Sequence, residues 1–418
     1  MARTWKATSC SRAATSSWCR KVLRQGRGSR ALTARRRIVL LSAAAIACCA
    51  GWRAASAAEW KLTTYLGQTV LYNDNLLLSR RNEIDAIGFT TTPHLILERN
   101  TPTLTIKLDG RFEFNEYIDH SNFNSQDQFI DLNVEKLLSE RSRLNLAADL
   151  IRDTTLRSEQ DASDRFLDDS IRFVTVRANP SWTYRLTELD DISLSGNYRN
   201  TSYDSADKTD YQSYGPTIGY DRRLSELDKF TSSLSYLHFD PEGKASSDRL
   251  GLLAGYAYEP SERLLLSGQG GLSYDLNDGD VGYRARINAR YLLDDQTALR
   301  ALLSHDIEPS GDGQLRTRNR ASVGVTYKAT ELTTLGLAVD YTDNYDYGLS
   351  GSTEEDNDEE SRYYSVRPSV AWQIAEDWDL VAEYRYRHKA FEEGDSATSN
   401  AVLLTLRYKL PTLTGEGF

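Results

Sequence analysis

The sequence predicts an all-β membrane protein: a transmembrane, antiparallel up-and-down β-barrel of eighteen strands, with sixteen as the alternative count. Apolar and polar residues alternate with a period of two through most of the chain after residue 57. The alternating segments run for about ten to thirteen residues, which exceeds the ~5 to 6 of soluble strands and suits a tilted strand that crosses a membrane. Short and long polar connections follow one another in strict alternation. Together these three observations favour a barrel in the outer membrane.

The first 57 residues differ in character from the rest of the chain. They contain twelve basic and no acidic residues, and an apolar run from Ile38 to Ala50 precedes the small residues Ala55-Ser56-Ala57. This order predicts a secretory signal peptide over residues 1–57, followed by the barrel over residues 58–418. Two alternatives are a lipoprotein signal that uses Cys48 and a transmembrane anchor. The anchor is disfavoured because the apolar run is shorter than the ~20 residues that span a bilayer.

Removal of this segment would change the charge and the cysteine content. All four cysteines lie within the first 49 residues, so the remaining chain would have none. Loss of twelve of the 50 basic residues leaves 38 against 60 acidic ones, a net charge of −22. A nucleic-acid partner is not expected for a protein with this balance of charge.

Two segments illustrate the alternation in the predicted strands. Between Asp191 and Tyr203, Ile192 and Leu194 interleave with serines. Between Val281 and Leu293, seven apolar residues alternate with glycine, asparagine and three arginines. Because successive side chains of a strand point to opposite faces, each segment has one apolar and one polar face. The last such segment is predicted over Ser399–Leu410.

Two stretches are nearly copies of one another, RLTELDDISLSGNY from Arg185 and RLSELDKFTSSLSY from Arg223. Each has the form of a strand end, a short polar turn and the start of another strand, and eight such turns imply nine hairpins. Longer polar connections lie between them, including Pro309–Arg318 and the acidic run Ser350–Glu360. Outer-membrane barrels have short periplasmic turns and longer outer loops. The eight turns are Arg99-Asn100-Thr101-Pro102, Leu138-Ser139-Glu140-Arg141, Leu186-Thr187-Glu188-Leu189, Leu224-Ser225-Glu226-Leu227, Pro260-Ser261-Glu262-Arg263, Asp294-Asp295-Gln296, Ala329-Thr330-Glu331-Leu332 and Ile374-Ala375-Glu376-Asp377.

A soluble array of β-repeats, such as a propeller, is the alternative to a membrane barrel. Four strands per blade should give four connections of varied length, which differs from the alternation of two classes seen here. Aromatic residues also favour the membrane, because they cluster toward strand ends on the apolar face, where barrels carry interfacial girdles. They are Tyr236, Tyr256, Tyr258, Tyr274, Tyr341, Tyr384 and Tyr386.

The first predicted hairpin has a more specific sequence. It reads GQTVLYNDNLLLSRRNEIDAIGFTTTPHLILE, with Tyr72-Asn73-Asp74-Asn75, then Asp85, then Pro93. In this it resembles the β-barrel porins found with bacterial exopolysaccharide operons, and the likeness is clearest from Ala58 to Leu150. The resemblance implies a role in polymer secretion. One departure is at the C-terminus, where Pro411 interrupts the alternation expected of a terminal strand.

The polar faces of the predicted strands would line the lumen of the barrel. A basic, water-filled lumen would attract anions such as glycans that bear uronic acid or phosphate groups. Interleaved tyrosines would be able to stack on sugar rings. The alternative is that the arginines pair with acids on neighbouring strands and only stabilise the wall. The predicted lumen-lining arginines are Arg177, Arg185, Arg199, Arg249, Arg284, Arg286, Arg290, Arg300, Arg367, Arg385, Arg387 and Arg407, with Arg320 and Lys389 also on this face. The predicted inward acids are Asp109, Glu113, Asp131, Glu135, Asp149, Asp275, Asp306, Asp340 and Glu383.

Enzymatic and metal chemistry find little support. The five histidines are scattered, and His305-Asp306 are adjacent, which would direct their side chains to opposite faces. No spacing suggests a metal site, so neither a metal nor a cofactor is expected. Two alternatives stay open: a Ser-His pair on neighbouring strands, as in an outer-membrane phospholipase, and calcium binding by Ser350–Glu360.

The predicted function is therefore that of a non-enzymatic conduit in the cell outer membrane through which an exopolysaccharide, expected to be anionic, passes without its own energy source. The alternative is a general or anion-preferring solute porin. The expected partners are outer-membrane lipid, the polysaccharide, and periplasmic polysaccharide co-polymerase or export proteins that would supply the energy.

Overall fold

The computed structural model describes residues 60–155, 170–346, 361–391 and 396–415. The predicted signal peptide and the acidic run Ser350–Glu360 lie outside these residues, so both remain predictions. Within the described residues, no helix combines the length and the apolar character needed to cross a membrane.

Eighteen antiparallel strands form one closed sheet. Each strand from β1 to β18 pairs with the next, and β18 pairs with β1 along Tyr65–Asn73, which closes the barrel. The predicted eighteen-stranded up-and-down barrel is confirmed. The strands are β1 (Trp60–Asn73), β2 (Ala86–Asn100), β3 (Leu104–Tyr117), β4 (Ser125–Ser139), β5 (Ser142–Thr154), β6 (Arg172–Arg185), β7 (Asp190–Tyr203), β8 (Tyr211–Arg223), β9 (Asp228–Pro241), β10 (Ser247–Ser261), β11 (Leu264–Asp275), β12 (Val281–Leu292), β13 (Thr297–Pro309), β14 (Leu315–Lys328), β15 (Thr333–Asp346), β16 (Ser361–Ala375), β17 (Trp378–Phe391) and β18 (Ser396–Lys409), followed by the short β19 (Leu413–Gly415).

The connections fall into two classes at opposite ends of the barrel. All eight predicted short turns join consecutive strands with two to four residues between them, and the connections at the other end have four to seventeen. One expected loop is wrong in its extent, because Leu315 pairs with Pro309 and the connection contains only residues 310–314. Arg316 and Arg318, which were predicted to lie in that loop, belong to β14. Polar residues continue this strand because their side chains face the lumen rather than lipid.

The outer face of the barrel is a belt of exposed apolar side chains. Leu252 is 62% exposed, Ile218 59% and Leu272 58%, on strands that also carry polar residues on the opposite face. Closure of the sheet leaves no unpaired strand edge, which is the condition for β-structure to span hydrocarbon. The closed ladder and the apolar belt together place this barrel in the outer membrane.

The duplicated stretch forms the same pair of side-chain hydrogen bonds twice at the short-turn end. In the first copy, Thr187 Oγ1 donates to Asp190 Oδ2 at 2.6 Å, and Tyr220 OH on the next strand donates to Asp190 Oδ1 at 2.6 Å. In the second copy, Ser225 Oγ donates to Asp228 at 2.7 Å, and Tyr256 supplies the phenol on the next strand. The repeat therefore fixes two turns to neighbouring hairpins.

The last long strand ends within one residue of the predicted Leu410, and a short strand follows it. β18 stops at Lys409, and Pro411 interrupts the ladder because proline has no N–H to donate. Pairing then resumes, with Leu413 opposite Leu62 and Gly415 opposite Trp60. β1 is thus paired with C-terminal residues along nearly its whole length.

Candidate solute pathway through the barrel

Cross-strand register assigns every residue of the wall to one of two faces. In β12, Val281, Tyr283 and Ile287 are exposed on the apolar outer face, and the residues between them face the lumen. Direct pairing carries this phase from strand to strand around the barrel. All twelve arginines predicted to line the lumen lie on its face. Their contact with a solute stays a prediction.

Seven of these twelve arginines pair with carboxylates on their own or a neighbouring strand. Arg177 Nε donates to both oxygens of Asp149, at 3.0 and 2.8 Å. Arg284 and Arg286 share Asp306, with Nη2 to carboxylate distances of 3.5 and 2.9 Å. For these residues, stabilisation of the wall is one function. The remaining pairs are Arg185 with Asp191 at 3.6 Å, Arg367 with Asp340 at 2.7 Å, Arg385 with Glu383 at 2.8 Å and Arg407 with Asp379 at 2.7 Å.

The other five arginines form two groups. Arg199, Arg290 and Arg300 have no carboxylate within ion-pair distance among the residues that the structure describes. Arg249 and Arg387 lie near the loop end and are 3% and 4% exposed. The lumen face therefore carries both neutralised arginines and arginines that are available to an entering anion.

Strands β12 to β14 form the most basic part of the lumen, which we call the basic wall. Seven arginines face the lumen on these strands, against the carboxylates of Asp306 and Glu308 on β13 and of Asp312 in the β13–β14 connection, which pairs with Arg316. Sequence reasoning missed two of the seven, Arg316 and Arg318, because it assigned them to a loop. Their period of two with Arg320 was the available signal. The basic wall consists of Arg284, Arg286, Arg290, Arg300, Arg316, Arg318 and Arg320.

The lumen is open to solvent at three charged positions. Asp131, Arg290 and Arg300 all face inward, and all three are exposed. An ionised side chain inside a closed barrel stays accessible only where water reaches it, so a hydrated space lies between the walls.

Aromatic rings are distributed unevenly between the two faces. The seven tyrosines predicted for the girdles lie on the outer face, so they are not available to a solute. On the lumen face, Tyr65 stacks on His94 at 5.6 Å between ring centroids, and Arg111 lies over Phe129 at 4.4 Å. Stacking on sugars would therefore involve these inward rings.

The first connection, residues 74–85, folds into the outer mouth of the barrel. Leu76 and Leu78 are 4% and 2% exposed. Leu76 packs in a cluster with Tyr117 of β3, and Leu78 packs with Tyr363 of β16. This connection therefore covers part of the wall on both sides of the β1–β18 junction.

The residues that carry the family resemblance fix this arrangement. Asp74 accepts hydrogen bonds from the backbone N–H and the side-chain amide of Asn400, at 2.6 and 2.7 Å. Asn75 is fully buried and donates to the carbonyl of Thr398 at 3.0 Å. Arg387 donates to the carbonyl of Asn75 at 3.3 Å. The Tyr72-Asn73-Asp74-Asn75 motif thus joins the first strand to the last and orients the first connection.

A second segment narrows the mouth from another side. The tip of the β13–β14 hairpin, residues 310–314, contacts the connections after β7 and β9. The backbone N–H of Thr209 donates to the carbonyl of Gly311 at 2.7 Å, and Lys244 Nζ donates to the carbonyl of Asp312. The tip therefore bridges loops that belong to strands well separated along the wall.

Two carboxyl groups outside the strands have shifted pKa values. Burial raises the pKa of Asp210 in the connection after β7, although the N–H of Tyr203 acts in the opposite direction. Asp294, in a short turn, accepts hydrogen bonds from the N–H groups of Gln296 and Thr297, which hold its pKa below the ordinary value. The protonation of Asp210 and Asp294 therefore links the stability of the connections at the two ends of the barrel to pH.

The histidines do not form a catalytic arrangement within the described residues. His305 stacks on Tyr283 on the outer face, and Asp306 faces the lumen, as their adjacency predicts. The hydrogen-bond partner of His94 is Asp109, at 2.7 Å. In the same part of the chain, no group of three or more His, Cys, Asp or Glu side chains is placed to hold a metal ion.

Comparison with known proteins finds similarity among solved structures alone. No protein-family model matches the chain, and no curated protein matches its sequence. The outer membrane protein OpdK of Pseudomonas aeruginosa is 12% identical, with 86% of this chain and 99% of that chain covered and a TM-score of 0.44. OccAB4 of Acinetobacter baumannii is 9% identical, with coverage of 85% and 99% and a TM-score of 0.43. A variant of the ferric enterobactin receptor PfeA of Pseudomonas aeruginosa is 9% identical, with coverage of 83% and 80% and a TM-score of 0.41.

Proposed function

We propose that this barrel is a passive outer-membrane channel for polar anions, and that its cargo is an acidic exopolysaccharide. The observation that carries the channel function is the basic wall, in which seven arginines on three adjacent strands outnumber the carboxylates of Asp306, Glu308 and Asp312, and in which Arg290 and Arg300 are exposed to the hydrated lumen. Positive charge in a confined lumen with low-dielectric walls raises the local concentration of anions.

The basic wall suits an acidic glycan in particular. Guanidinium groups bind carboxylate and phosphate through two parallel N–H donors, and successive arginines on alternate positions offer such donors along the direction of transport. Arg290 and Arg300 have no carboxylate partner among the described residues, so an anion would not have to displace an existing ion pair there.

The polymeric nature of the cargo is supported by the resemblance of the first hairpin to porins found with exopolysaccharide operons. Under this proposal the periplasmic turns face the co-polymerase or export proteins that deliver the chain. The channel itself orients the polymer and excludes lipid, and no chemical step occurs in it.

An anion-preferring porin for small solutes is the second candidate. The observation that favours it is the narrowed outer mouth, where residues 74–85 fold inward and residues 310–314 bridge to Thr209 and Lys244. A narrow mouth admits small solutes more readily than a hydrated polymer. The two candidates share the basic wall and differ in the size of the cargo.

Two measurements test the proposal. In planar bilayers under a salt gradient, the reversal potential should show preference for chloride, and replacement of Arg284, Arg286 and Arg290 by glutamate should reverse it, because the wall would gain three negative charges. A matched variant makes the same change of charge near the short turns, at Arg141, Arg222 and Arg263. It should keep the preference for chloride. Equal selectivity of the wild type and the wall variant would contradict the anion channel.

Deletion of the gene tests the cargo. If the barrel exports polymer, secreted polysaccharide should fall and polymer should accumulate in the periplasm. Unchanged secretion, together with a confirmed preference for chloride, would leave the solute porin as the function.

A further inference from the structure

Like charges stand directly opposite one another on neighbouring strands at several places on the lumen face, for example Asp131 with Asp149 and Arg177 with Arg199. Two of these pairs lie on opposite sides of the barrel. Asp109 of β3 is directly opposite Asp131 of β4, and Arg290 of β12 is directly opposite Arg300 of β13. Like charges in directly opposed positions destabilise a sheet. The Asp109–Asp131 and Arg290–Arg300 pairs therefore each carry such a cost.

The charges of these pairs are only partly compensated locally. No carboxylate among the described residues pairs with Arg290 or Arg300, and no cation in that part of the chain forms an ion pair or hydrogen bond with Asp131. His94 contacts Asp109 at 2.7 Å, which leaves Asp131 as the exposed member of the acidic pair. Each pair thus presents charge of one sign to the lumen.

The two pairs lie on opposite sides of the barrel. From β3 to β12 and from β4 to β13 is nine strands, half of the eighteen that close the wall. Strands spaced about 4.8 Å apart and tilted by about 40° give such a barrel a width of roughly 35 Å between facing backbones. The acidic and basic pairs therefore face each other across its full width.

The register shows that the pairs also lie at the same height. The row of direct partners that begins at Asp109 climbs around the tilted wall and reaches the loop end at Ser247, the first residue of β10, seven strands later. The row that begins at Arg290 reaches the loop end at Asn73, the last residue of β1, also seven strands later. Both rows reach the loop end of the barrel after the same number of strands, so Asp109 and Arg290 lie at the same depth below that end.

We propose that the lumen is electrically polarised across its width at this level, and that Asp109, Asp131, Arg290 and Arg300 select solutes that carry a cationic and an anionic group together. The inference rests on the proposed channel function and narrows its cargo to sugars or glycans with an amine as well as a carboxylate or phosphate. Such a solute lowers its energy by orienting its two charges toward the two walls, whereas a pure anion is attracted by one wall and repelled by the other.

The test compares two sugar phosphates of nearly equal size in proteoliposomes that contain the full chain. Glucosamine 6-phosphate carries an ammonium and a phosphate, and glucose 6-phosphate carries the phosphate alone. The readout is the ratio of their entry rates, measured at about 10 mM salt, where the Debye length is ~30 Å, and again at 1 M, where it is ~3 Å.

The test variant replaces Asp109 and Asp131 by asparagine and Arg290 and Arg300 by glutamine. It removes two charges of each sign, so the net charge of the lumen stays the same. A matched control also removes two charges of each sign, but as adjacent pairs, through glutamine at all four positions of the pairs Glu135 with Arg143 and Lys61 with Glu98.

At low salt, the ratio for glucosamine 6-phosphate over glucose 6-phosphate should fall about threefold in the test variant and stay at the wild-type value in the control. At high salt, all three proteins should give the same ratio. An unchanged ratio in the test variant at low salt would overturn the inference, as would an equal fall in the control. If the four changes prevent assembly, the pair Asp131→Asn and Arg290→Gln, both at exposed positions, replaces them. The reversal potential of the wild-type protein tests the channel proposal without any of these substitutions, so failure of the channel proposal would be seen separately.

Discussion

Replacement of Arg387 by methionine tests how firmly the first connection is held against the lumen wall. Arg387 Nη2 donates to the carbonyls of Asn75 and Leu76 at 3.3 and 3.4 Å and to Ser399 Oγ at 2.9 Å. Methionine keeps the length and the apolar stem of arginine and removes the donors. The connection, residues 74–85, should therefore open more often while the barrel stays folded.

The expected size of the effect follows from the two bonds to the connection. A hydrogen bond from a charged donor contributes about 1.5 to 3 kcal/mol. Both bonds are longer than the ~2.9 Å of a well-formed bond, so about 2 kcal/mol for the two together is a reasonable value. At about 1.4 kcal/mol per factor of ten, the open form should become about 30-fold more populated.

Trypsin provides the assay, because Arg80 and Arg81 lie within the connection. When the connection closes faster than it is cut, the cleavage rate follows the population of the open form. The fragment that ends at Arg80 or Arg81, identified by its mass, should appear about 30-fold faster in Arg387→Met than in the wild type. Arg385→Met is the control, because Arg385 pairs with Glu383. Equal rates in the two variants, or no acceleration in Arg387→Met, would refute the reasoning.

Two further predictions concern the ends of the barrel. Gly313 has a φ of +77°, and a Cβ built there would lie 3.1 Å from Thr209 Cβ, closer than an ordinary van der Waals contact, so Gly313→Ala should strain the tip of the β13–β14 hairpin and weaken the hydrogen bond from the N–H of Thr209 to Gly311. The measurement is amide hydrogen exchange at Thr209, which should become faster than in the wild type, and an unchanged rate would contradict the prediction. The N–H groups of Gln296 and Thr297 lower the pKa of Asp294 from 3.8, so its turn contributes stability that is complete above this value and is lost as the pH falls through the lower folded pKa. Asp294→Asn should accordingly flatten the loss of stability between about pH 5 and pH 2 in denaturant unfolding, and a slope equal to that of the wild type would exclude this contribution.

The number of strands was predictable because two independent periodicities agree. Alternation with a period of two identifies the strands. The recurrent short turns, such as the two that contain Glu188 and Glu226, give the number of hairpins. The extent of the strands was less predictable. Arg316 and Arg318 look like loop residues because they are polar and because Thr317 and Asn319 beside them are polar, yet they continue β14 toward the loop end. An alternating apolar pattern reveals only the part of a strand that faces lipid. The rest of the strand is defined by its backbone hydrogen bonds, which the sequence does not show.

The composition of the lumen face was also predictable, because parity along a strand decides which residues face inward. The pairing of those residues was not. Arg177 is neutralised by Asp149 and Arg290 is not, although both stand at inward positions of similar strands. The difference depends on register and tilt, which the sequence of one strand does not contain. For the same reason, only the structure of the closed barrel shows that Asp109 and Arg290 lie on opposite sides of the lumen.

The motif that carries the family resemblance has a structural role, and this affects how the cargo should be inferred. Asp74 and Asn75 connect the first strand to Asn400 and Thr398 of the last, so their side chains close the barrel and shape its mouth. A residue committed to closure is needed whatever solute passes through the lumen. Evidence about the cargo must therefore come from side chains that the closure of the barrel does not require. Arg290, Arg300 and Asp131 meet this condition, because each faces water and each stands beside a like charge that weakens the sheet.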